Sequence, residues 1–302
     1  MKSNLIVTQW DSYDRYDHRT IRTWARVLSS YEEVPFGFRP HFPEPPIPMP
    51  YTIFLPQETG IFFQKRPPQL LWLEPDQLII LEAVRETVIR NSYPLESILY
   101  LEHGMILLKS WLTLRTPAHI TTMTFNTVSD RRFLPIIKAI RRNSPPSQSN
   151  GEQHRHELAK LSYLNTVNYK YMNFGRHSIM PGDTIIRTVY QPAMWIETVT
   201  MFRKTLFKTY LTPHLSILTD RELILLTEHS RTKKGEEKQY GGVFTYIPLR
   251  HIQQISFTTK HSNLVMNIQL SDTIHLCSEF SSGNNDIEAL AREYAAIRLG
   301  QA

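Results

Sequence analysis

The chain has 302 residues, enough for two ordinary domains, and its 41% hydrophobic and 11% aromatic content excludes an extended disordered chain. The formal net charge of +6 is spread thinly, so no segment predicts a nucleic-acid-binding face. No apolar run reaches the ~18 residues of a membrane span, and the N-terminus does not resemble a signal peptide. A single cysteine excludes an intrachain disulfide. We therefore expect a cytoplasmic protein without a transmembrane segment.

Residues 1–52 form an aromatic and proline-rich N-terminal arm. The prolines are dense between Pro40 and Pro50, which favours an extended polyproline II path. Such an arm is either a ligand for an aromatic groove in a partner or a cover for the first domain of its own chain. We favour the second interpretation, because rigid aromatic side chains are stabilised by burial.

Residues 53–142 predict a first domain of short antiparallel strands closed by a helix. Between Leu108 and Arg115, alternate positions are apolar or small, the period of a strand with one buried face. Phe133, Ile136, Ile137 and Ile140 follow a helical period instead, which predicts a helix over Asp130–Arg142. Pro135 lacks a backbone N–H and is therefore expected in the first turn of that helix.

Residues 143–177 predict a linker with a short helix. The linker composition is NSPPSQSNG, and leucines at helical spacing predict a helix over Gln153–Leu164. His156 and Glu157 begin like the zinc motif H-E-x-x-H, but Lys160 stands where the second histidine belongs. We therefore interpret His154 and His156 as solvated residues rather than metal ligands.

Residues 178–302 predict a second domain with the same order of elements. Leu264, Met266, Ile268 and Leu270 alternate with polar or smaller residues. A helix is predicted over Asp286–Leu299, with Ile287, Leu290, Ala291 and Tyr294 on its apolar face. Cys277 falls in a predicted strand with no feature that would activate it, so we interpret it as a structural thiol.

The two domains align as an internal repeat. Leu78 matches Leu223 at an offset of 145 positions (223 − 78), and Pro94 matches Pro248 at an offset of 154 (248 − 94). The difference predicts a nine-residue insertion (154 − 145) around 229–242. The domain openings, 55–67 and 180–192, also align in this comparison.

Three segments of the second domain carry a resemblance to a known family: Met180-Pro181-Gly182-Asp183, Thr219–Ile224 and Ile247–Ile252. They resemble the bacterial PH-like and GRAM-like domains. The resemblance covers roughly 53–142 and 178–299, and it implies two tandem PH-like antiparallel β-sandwiches or barrels, each capped by a C-terminal α-helix. The first copy departs from the pattern, because Glu74-Pro75-Asp76-Gln77 replaces the Thr-Asp-Arg stretch.

No motif for a dinucleotide, a phosphate-binding loop or a nucleophile elbow occurs in the sequence. We therefore predict a protein that is not an enzyme and needs no cofactor or metal. In PH domains that bind phosphoinositides, basic residues near the first strands hold the headgroup, and the resemblance makes these positions candidates: Lys65, Arg66, Arg203, Lys204, Lys208, Arg231, Lys233 and Lys234.

The leading hypothesis is an intracellular scaffold that binds protein or peptide partners through its sheet edges. The related PTB domains capture an extended peptide as an additional strand, and the same edges allow self-association. The alternative is a peripheral membrane module that binds anionic lipid through the second domain. We favour the interpretation that these basic residues are ordinary solvated loop charges and not a lipid-binding site. Glu236 and Glu237 lie inside the basic loop, and the lipid-binding pattern of the family is missing.

Overall fold

A computed structural model describes the fold of most of the chain. It describes residues 24–57, 66–142, 150–201, 204–228, 241–261, 263–284 and 286–300, with the backbone alone for 195–201 and 204–210. The chain divides into two units, the first with residues 1–98, 108–112 and 122–143, the second with residues 99–107, 113–121 and 144–302. Antiparallel sheets dominate the described residues, as predicted, and there they do not close into a barrel.

The first unit contains a five-stranded antiparallel sheet. Its strands, neighbours in chain order, are β1 (Arg26–Leu28), β2 (Thr52–Leu55), β3 (Gln69–Leu73), β4 (Gln77–Val84) and β5 (Thr87–Pro94). Consecutive residues of β3, such as Leu71 and Trp72, are both fully buried although they point to opposite faces. The sheet is therefore covered on both faces.

Residues of the N-terminal arm cover one of these faces. Val34, Phe38 and Phe42 are buried in one cluster with Trp72, and the rings of Phe42 and Trp72 lie 5.1 Å apart in an edge-on arrangement. The arm also contributes β1, which pairs with β2. The prediction that the aromatic arm packs on its own domain is thus confirmed from Ala25 onward, while residues 1–23 lie outside the described part.

Three strands and a helix follow: β6 (Tyr100–Ile106), β7 (Lys109–Arg115), β8 (Ile120–Asn126) and α1 (Asp130–Arg142). The helix has the predicted bounds and buries the predicted side chains, Phe133, Ile136, Ile137 and Ile140. The expectation for Pro135 was wrong, because this proline is the sixth residue of the helix rather than part of its first turn. The helix loses one backbone hydrogen bond there, while four buried side chains stabilise it.

The segment 150–178 carries more structure than the predicted linker with one short helix. It forms α2 (Gly151–Ala159), α3 (Leu164–Val167) and α4 (Tyr169–Ser178). Asn150 and Asn168 cap α2 and α4 by accepting hydrogen bonds from the N–H groups of Glu152 and Tyr171. The predicted single helix over Gln153–Leu164 was wrong, since the chain turns between Ala159 and Leu164 to bury Leu161.

The second unit then forms the strands β9 (Ile185–Gln191), β10 (Met194–Met201), β11 (Lys204–Leu211), β12 (His214–Thr219), β13 (Glu222–Thr227) and β14 (Gly241–Pro248). β10 and β11 form a separate hairpin. The large sheet has the order β8-β7-β6-β14-β13-β12-β9. Residues 180–183, at the predicted opening of the second domain, form a turn in which the Asp183 carboxylate accepts the Met180 N–H at 3.1 Å.

The last elements are β15 (Gln254–Lys260), β16 (Asn263–Gln269), β17 (His275–Ser281) and α5 (Asp286–Gly300). A buried cluster joins these strands and α5 to the large sheet through, among others, Leu218, Met266, Phe280 and Leu290. The helix matches the predicted bounds to within one residue. Ile287, Leu290 and Tyr294 are buried as expected, whereas Ala291 is only half-buried. Arg187 of β9 holds α5 by an ion pair with Glu293 at 2.5 Å.

The two repeats share their turns as well as their strands. In each, a short 3₁₀ turn follows a proline, and its first N–H bonds back to the preceding hairpin: Leu95 to the Asp76 carbonyl at 2.8 Å, Leu249 to the Arg221 carbonyl at 2.9 Å. The turn after β6 has Leu107 at φ 46, and the turn after β15 has His261 at φ 48. These residues are 154 positions apart (261 − 107), the offset of the repeat.

The predicted alignment of the two openings was wrong. Thr52 pairs with Trp72, and Thr188 pairs with Ile217, the residue 145 positions after Trp72 (217 − 72). β2 therefore corresponds to the last four residues of β9, not to the segment around 180. The predicted alignment matched Pro56 with Pro181, whereas the strand register matches Pro56 with Pro192.

Candidate interaction site

The strand β15 lies at an edge of the three-stranded sheet. It pairs with β16 from Gln254 opposite Gln269 to Lys260 opposite Asn263, and no other strand of the described chain lies beside it. Ile255 and Phe257 are half-buried against the core of the second unit, whereas Thr258 and Lys260 are exposed. Because every second residue of an edge strand turns its N–H and C=O groups outward, β15 can hydrogen-bond one more strand.

The helix α5 holds the start of this edge in place. The Tyr294 hydroxyl donates to the Ile252 carbonyl at 2.7 Å, and the Arg298 guanidinium donates to the Gln253 carbonyl. Ile297 is half-buried against the same core as Ile255 and Phe257. A strand that docks on β15 would therefore meet a backbone already fixed by helix contacts, which lowers the ordering cost of binding.

Two other sheet edges, at β9 and beside β1, have a side-chain cover at one end. At β9, the Lys160 ammonium donates to the Ile185 carbonyl at 2.7 Å, and the buried Glu157 carboxylate accepts the Ile185 N–H at 2.6 Å. At β1, the Ala25 carbonyl accepts hydrogen bonds from Ser129 and Arg132. Such covers prevent edge-to-edge association. The sequence did not predict the role of Glu157, because the N–H group that it accepts belongs to β9, far along the chain.

The strand β6 occupies the position of β15 in the first repeat, and it has the additional neighbour that β15 lacks. β14 pairs with it antiparallel, with Val243 opposite Gly104 and Phe244 opposite His103. The His103 and Phe244 rings stack with centroids 5.9 Å apart. The fold thus accommodates an additional strand beside β6, and the pairing of β14 defines the register of that strand.

Two glycines at the start of β14 allow close approach, Gly241 to β6 and Gly242 to α4. A Cβ on Gly241 would lie 2.4 Å from the Met105 carbonyl oxygen, and one on Gly242 would lie 2.6 Å from the Phe174 ring. Both separations are shorter than van der Waals contact. Glycine is therefore required where β14 begins to pair with β6.

The strand β5, at the end of the five-stranded sheet, is another edge strand. It pairs with β4 alone among the described strands. Ile89 is 46% exposed although it is a β-branched apolar residue in mid-strand. Arg90 is oriented by neighbouring groups, with its guanidinium 5.4 Å from the Trp72 ring centroid and 3.9 Å from the Glu74 carboxylate.

A buried polar pair ties the two layers of the second unit together. Gln191 is fully buried, accepts the Ser281 N–H at 2.9 Å and so links β9 to β17. His214 of β12 lies opposite Gln191 in the sheet and is buried. Its Nδ1 atom hydrogen-bonds to the Thr212 carbonyl, and its ring meets the Phe280 ring edge-on with centroids 4.6 Å apart. Burial lowers the pKa of His214, outweighing its hydrogen bond to Thr212 and the charge of Glu279. Burial therefore disfavours protonation of this histidine in the folded chain.

The proposed anion-binding residues are only partly within the described chain. Arg66 is buried, at 7% exposure, and its Nη2 donates to the Pro56 carbonyl at 2.8 Å. This is a structural position, not the exposed site that the sequence suggested. Lys204 and Lys208 lie on β11, where the backbone alone is described. The remaining candidates lie outside the described residues: Lys65, Arg203, Arg231, Lys233 and Lys234.

Cys277 differs from the expected structural thiol, because its side chain is exposed and its Sγ donates to Asn267 Oδ1 at 3.2 Å. His156 is exposed on α2, as expected, and His154 is half-buried. Within the described ranges, no three His, Cys, Asp or Glu side chains converge as a metal site would require. Over the same ranges, no helix combines the length and apolar character needed to cross a bilayer.

The amino-acid sequence matches no protein-family model and no curated protein.

Proposed function

We propose that this chain is a non-enzymatic interaction protein built from two PH-like repeats, and that it captures an extended segment of a protein partner along β15. The open edge of β15 carries the proposal. The corresponding strand of the first repeat, β6, has a paired neighbour in the same fold position.

The order of elements supports the PH-like interpretation. Each repeat has four strands that share one sheet, then a 3₁₀ turn, three further strands and a helix, and the second repeat adds the hairpin β10–β11 between β9 and β12. In the second repeat, the helix α5 packs against a core formed by both sheets. That order is the one the resemblance to PH-like domains implies, and PTB domains of related fold bind peptides by strand addition.

The surface chemistry supports binding of a peptide backbone rather than a small molecule. The exposed residues at the end of β15 are Thr258, Thr259 and Lys260, and the half-buried Ile255 and Phe257 alternate with polar positions. An added strand would gain main-chain hydrogen bonds along its length and apolar contacts at every second residue. Net free energies of about 0.5–1.5 kcal/mol per hydrogen bond give moderate affinity, which suits a scaffold.

A peptide selection followed by hydrogen exchange tests this function. Peptides of about seven residues, one strand length, would be selected by display against the purified protein. The protein carries Ile89→Lys, which places a charge on the other exposed edge strand, β5, to prevent binding there and leaves β15 unchanged. Bound peptides should slow amide exchange in Gln254–Lys260. The covered edge at β9 is the internal control and should keep its exchange rate. Absence of selected peptides, or protection confined to segments other than β15, would contradict the proposal.

A further inference from the structure

We infer that one source of the strand captured by β15 is β5 of a second copy of this chain, so that copies associate head to tail. This inference rests on the proposed function of β15 as a strand acceptor. It identifies the donor from the repeat itself.

The observed pairing of β6 with β14 supplies the template. β6 corresponds to β15, and β14 corresponds to β5, each at the repeat offset of 154 positions (248 − 94). The chain therefore forms one of two equivalent strand pairs. β6 pairs with β14, whereas the equivalent strands β15 and β5 each have a single neighbour among the described strands. Acceptor and donor are thus present on every copy.

The template also fixes the register. Moving each partner by 154 positions converts the observed pair Gly104–Val243 into Thr258–Ile89 (104 + 154 and 243 − 154), and it converts His103–Phe244 into Phe257–Arg90. In this register the exposed Ile89 would gain a neighbour. Arg90, already positioned over the Trp72 ring, would meet the aromatic ring of Phe257. Cation–π contact stabilises such pairs.

One end of the ladder must differ from the template. Gly241 of β14 corresponds to Thr87 of β5 (241 − 154), and the template leaves no space for a Cβ at that place. The intermolecular ladder therefore extends from Val88 to Ser92 and stops before Thr87. An association that joins two different surfaces is heterologous, so it continues beyond a dimer as concentration rises.

Disulfide trapping between two single-cysteine proteins tests both the pairing and its register. Both proteins carry Cys277→Ser, and one adds Ile89→Cys while the other adds Thr258→Cys, with tags of different size. Directly opposed residues in an antiparallel ladder lie within disulfide range. The mixture should give a cross-linked heterodimer under mild oxidation, and Ser256→Cys in place of Thr258→Cys, two residues out of register, should not.

Light scattering at increasing concentration provides the second measurement. The wild-type chain should exceed the 35.4 kDa of a monomer, and Ile89→Lys should return it to the monomer mass, because a charge on an edge strand opposes pairing. Two results would overturn the inference: a wild-type monomer at all concentrations, or cross-linking of Ile89→Cys chiefly to itself. The peptide selection does not depend on self-association, because it uses the Ile89→Lys protein. If the copies do not associate, β15 can therefore still be tested as a site for peptides, and the two failures are distinguishable.

Discussion

Leu78 and Leu223 occupy the same place in two different hairpins. Both are fully buried, and each lies directly opposite the last leucine of the preceding strand segment, Leu73 for Leu78 and Leu218 for Leu223. The predicted equivalence of these two positions is confirmed. Since a one-residue slip would turn either leucine to the opposite face of its sheet, the shared register reflects the same packing requirement in both repeats.

Truncation of either leucine should destabilise its own repeat. Leu78→Ala and Leu223→Ala should each reduce the free energy of unfolding by about 2–5 kcal/mol, because each leaves a cavity in a closed core. Chemical denaturation followed by circular dichroism measures the loss. Leu134→Ala, at a position 40% exposed on α1, is the matched control with a small effect. Losses at Leu78 and Leu223 as small as the loss at Leu134 would contradict their placement in the core.

Gly241→Ala should weaken the pairing of β14 with β6. The added Cβ would lie 2.4 Å from the Met105 carbonyl oxygen, so the backbone must move, at a cost of about 1–3 kcal/mol as in other overpacked sites. Faster amide exchange in β14 and a lower melting temperature are expected. Gly283→Ala, where nothing lies within 4 Å, should leave both unchanged. A Gly241→Ala protein as stable as the wild type would contradict the described contact.

The buried His214 should make stability fall in mild acid. Burial lowers its pKa from the ordinary value of 6.5, so the unfolded chain binds the proton more tightly than the folded chain does. This contribution is present in full above pH 6.5 and is lost as the pH falls below that value, at no more than about 1.4 kcal/mol per pH unit. Denaturant unfolding between pH 7 and pH 5 (about one and a half units below the ordinary pKa) measures the slope. His214→Phe should reduce the slope, whereas replacement of the exposed His156 by Gln should not.

Removal of α5 should expose the core of the second unit. The helix buries Ile287, Leu290 and Tyr294, and a chain that ends at residue 285 leaves the apolar faces of the strands beneath uncovered. Such surfaces cause aggregation, so the truncated protein should be insoluble or bind a hydrophobic dye strongly. A chain that ends at Gly300 is the control and should behave as the wild type. A folded, monomeric protein without α5 would count against the PH-like proposal.

The lipid alternative predicts binding to anionic vesicles that decreases steeply with salt, because exposed charges are screened beyond ~10 Å at 0.1 M. We expect little binding at physiological salt and no change when Lys233 and Lys234 are both reversed to glutamate. Residues 178–302 hold 13 basic and 12 acidic residues, and Glu236 and Glu237 follow Lys233 and Lys234 closely in the sequence. Vesicle sedimentation measures this. Strong binding that the reversals abolish would favour the membrane module over the scaffold.

The open edges and the buried histidine were outside the reach of sequence patterns. Ile89 and Thr258 lie in strands that alternate like any other, and no local feature shows whether a strand has one neighbour or two. Glu157 and His214 are likewise polar residues of ordinary sequence context, buried only because Ile185 and Phe280 lie beside them. Edge coverage and polar burial depend on residues far apart in the chain.

The sequence by itself determined α1 and α5, with their bounds and buried faces, and the correspondence of Leu78 with Leu223. These features follow from side-chain periodicity, which is local and is set by the repeat of a helix or a strand. Only the tertiary structure decided which strands the arm from Ala25 onward packs against, that 150–178 folds into three helices, and that β14 lies beside β6. Each of these depends on apolar faces and strand edges finding partners at long sequence separation, and the free energy of that pairing is not encoded in any short segment.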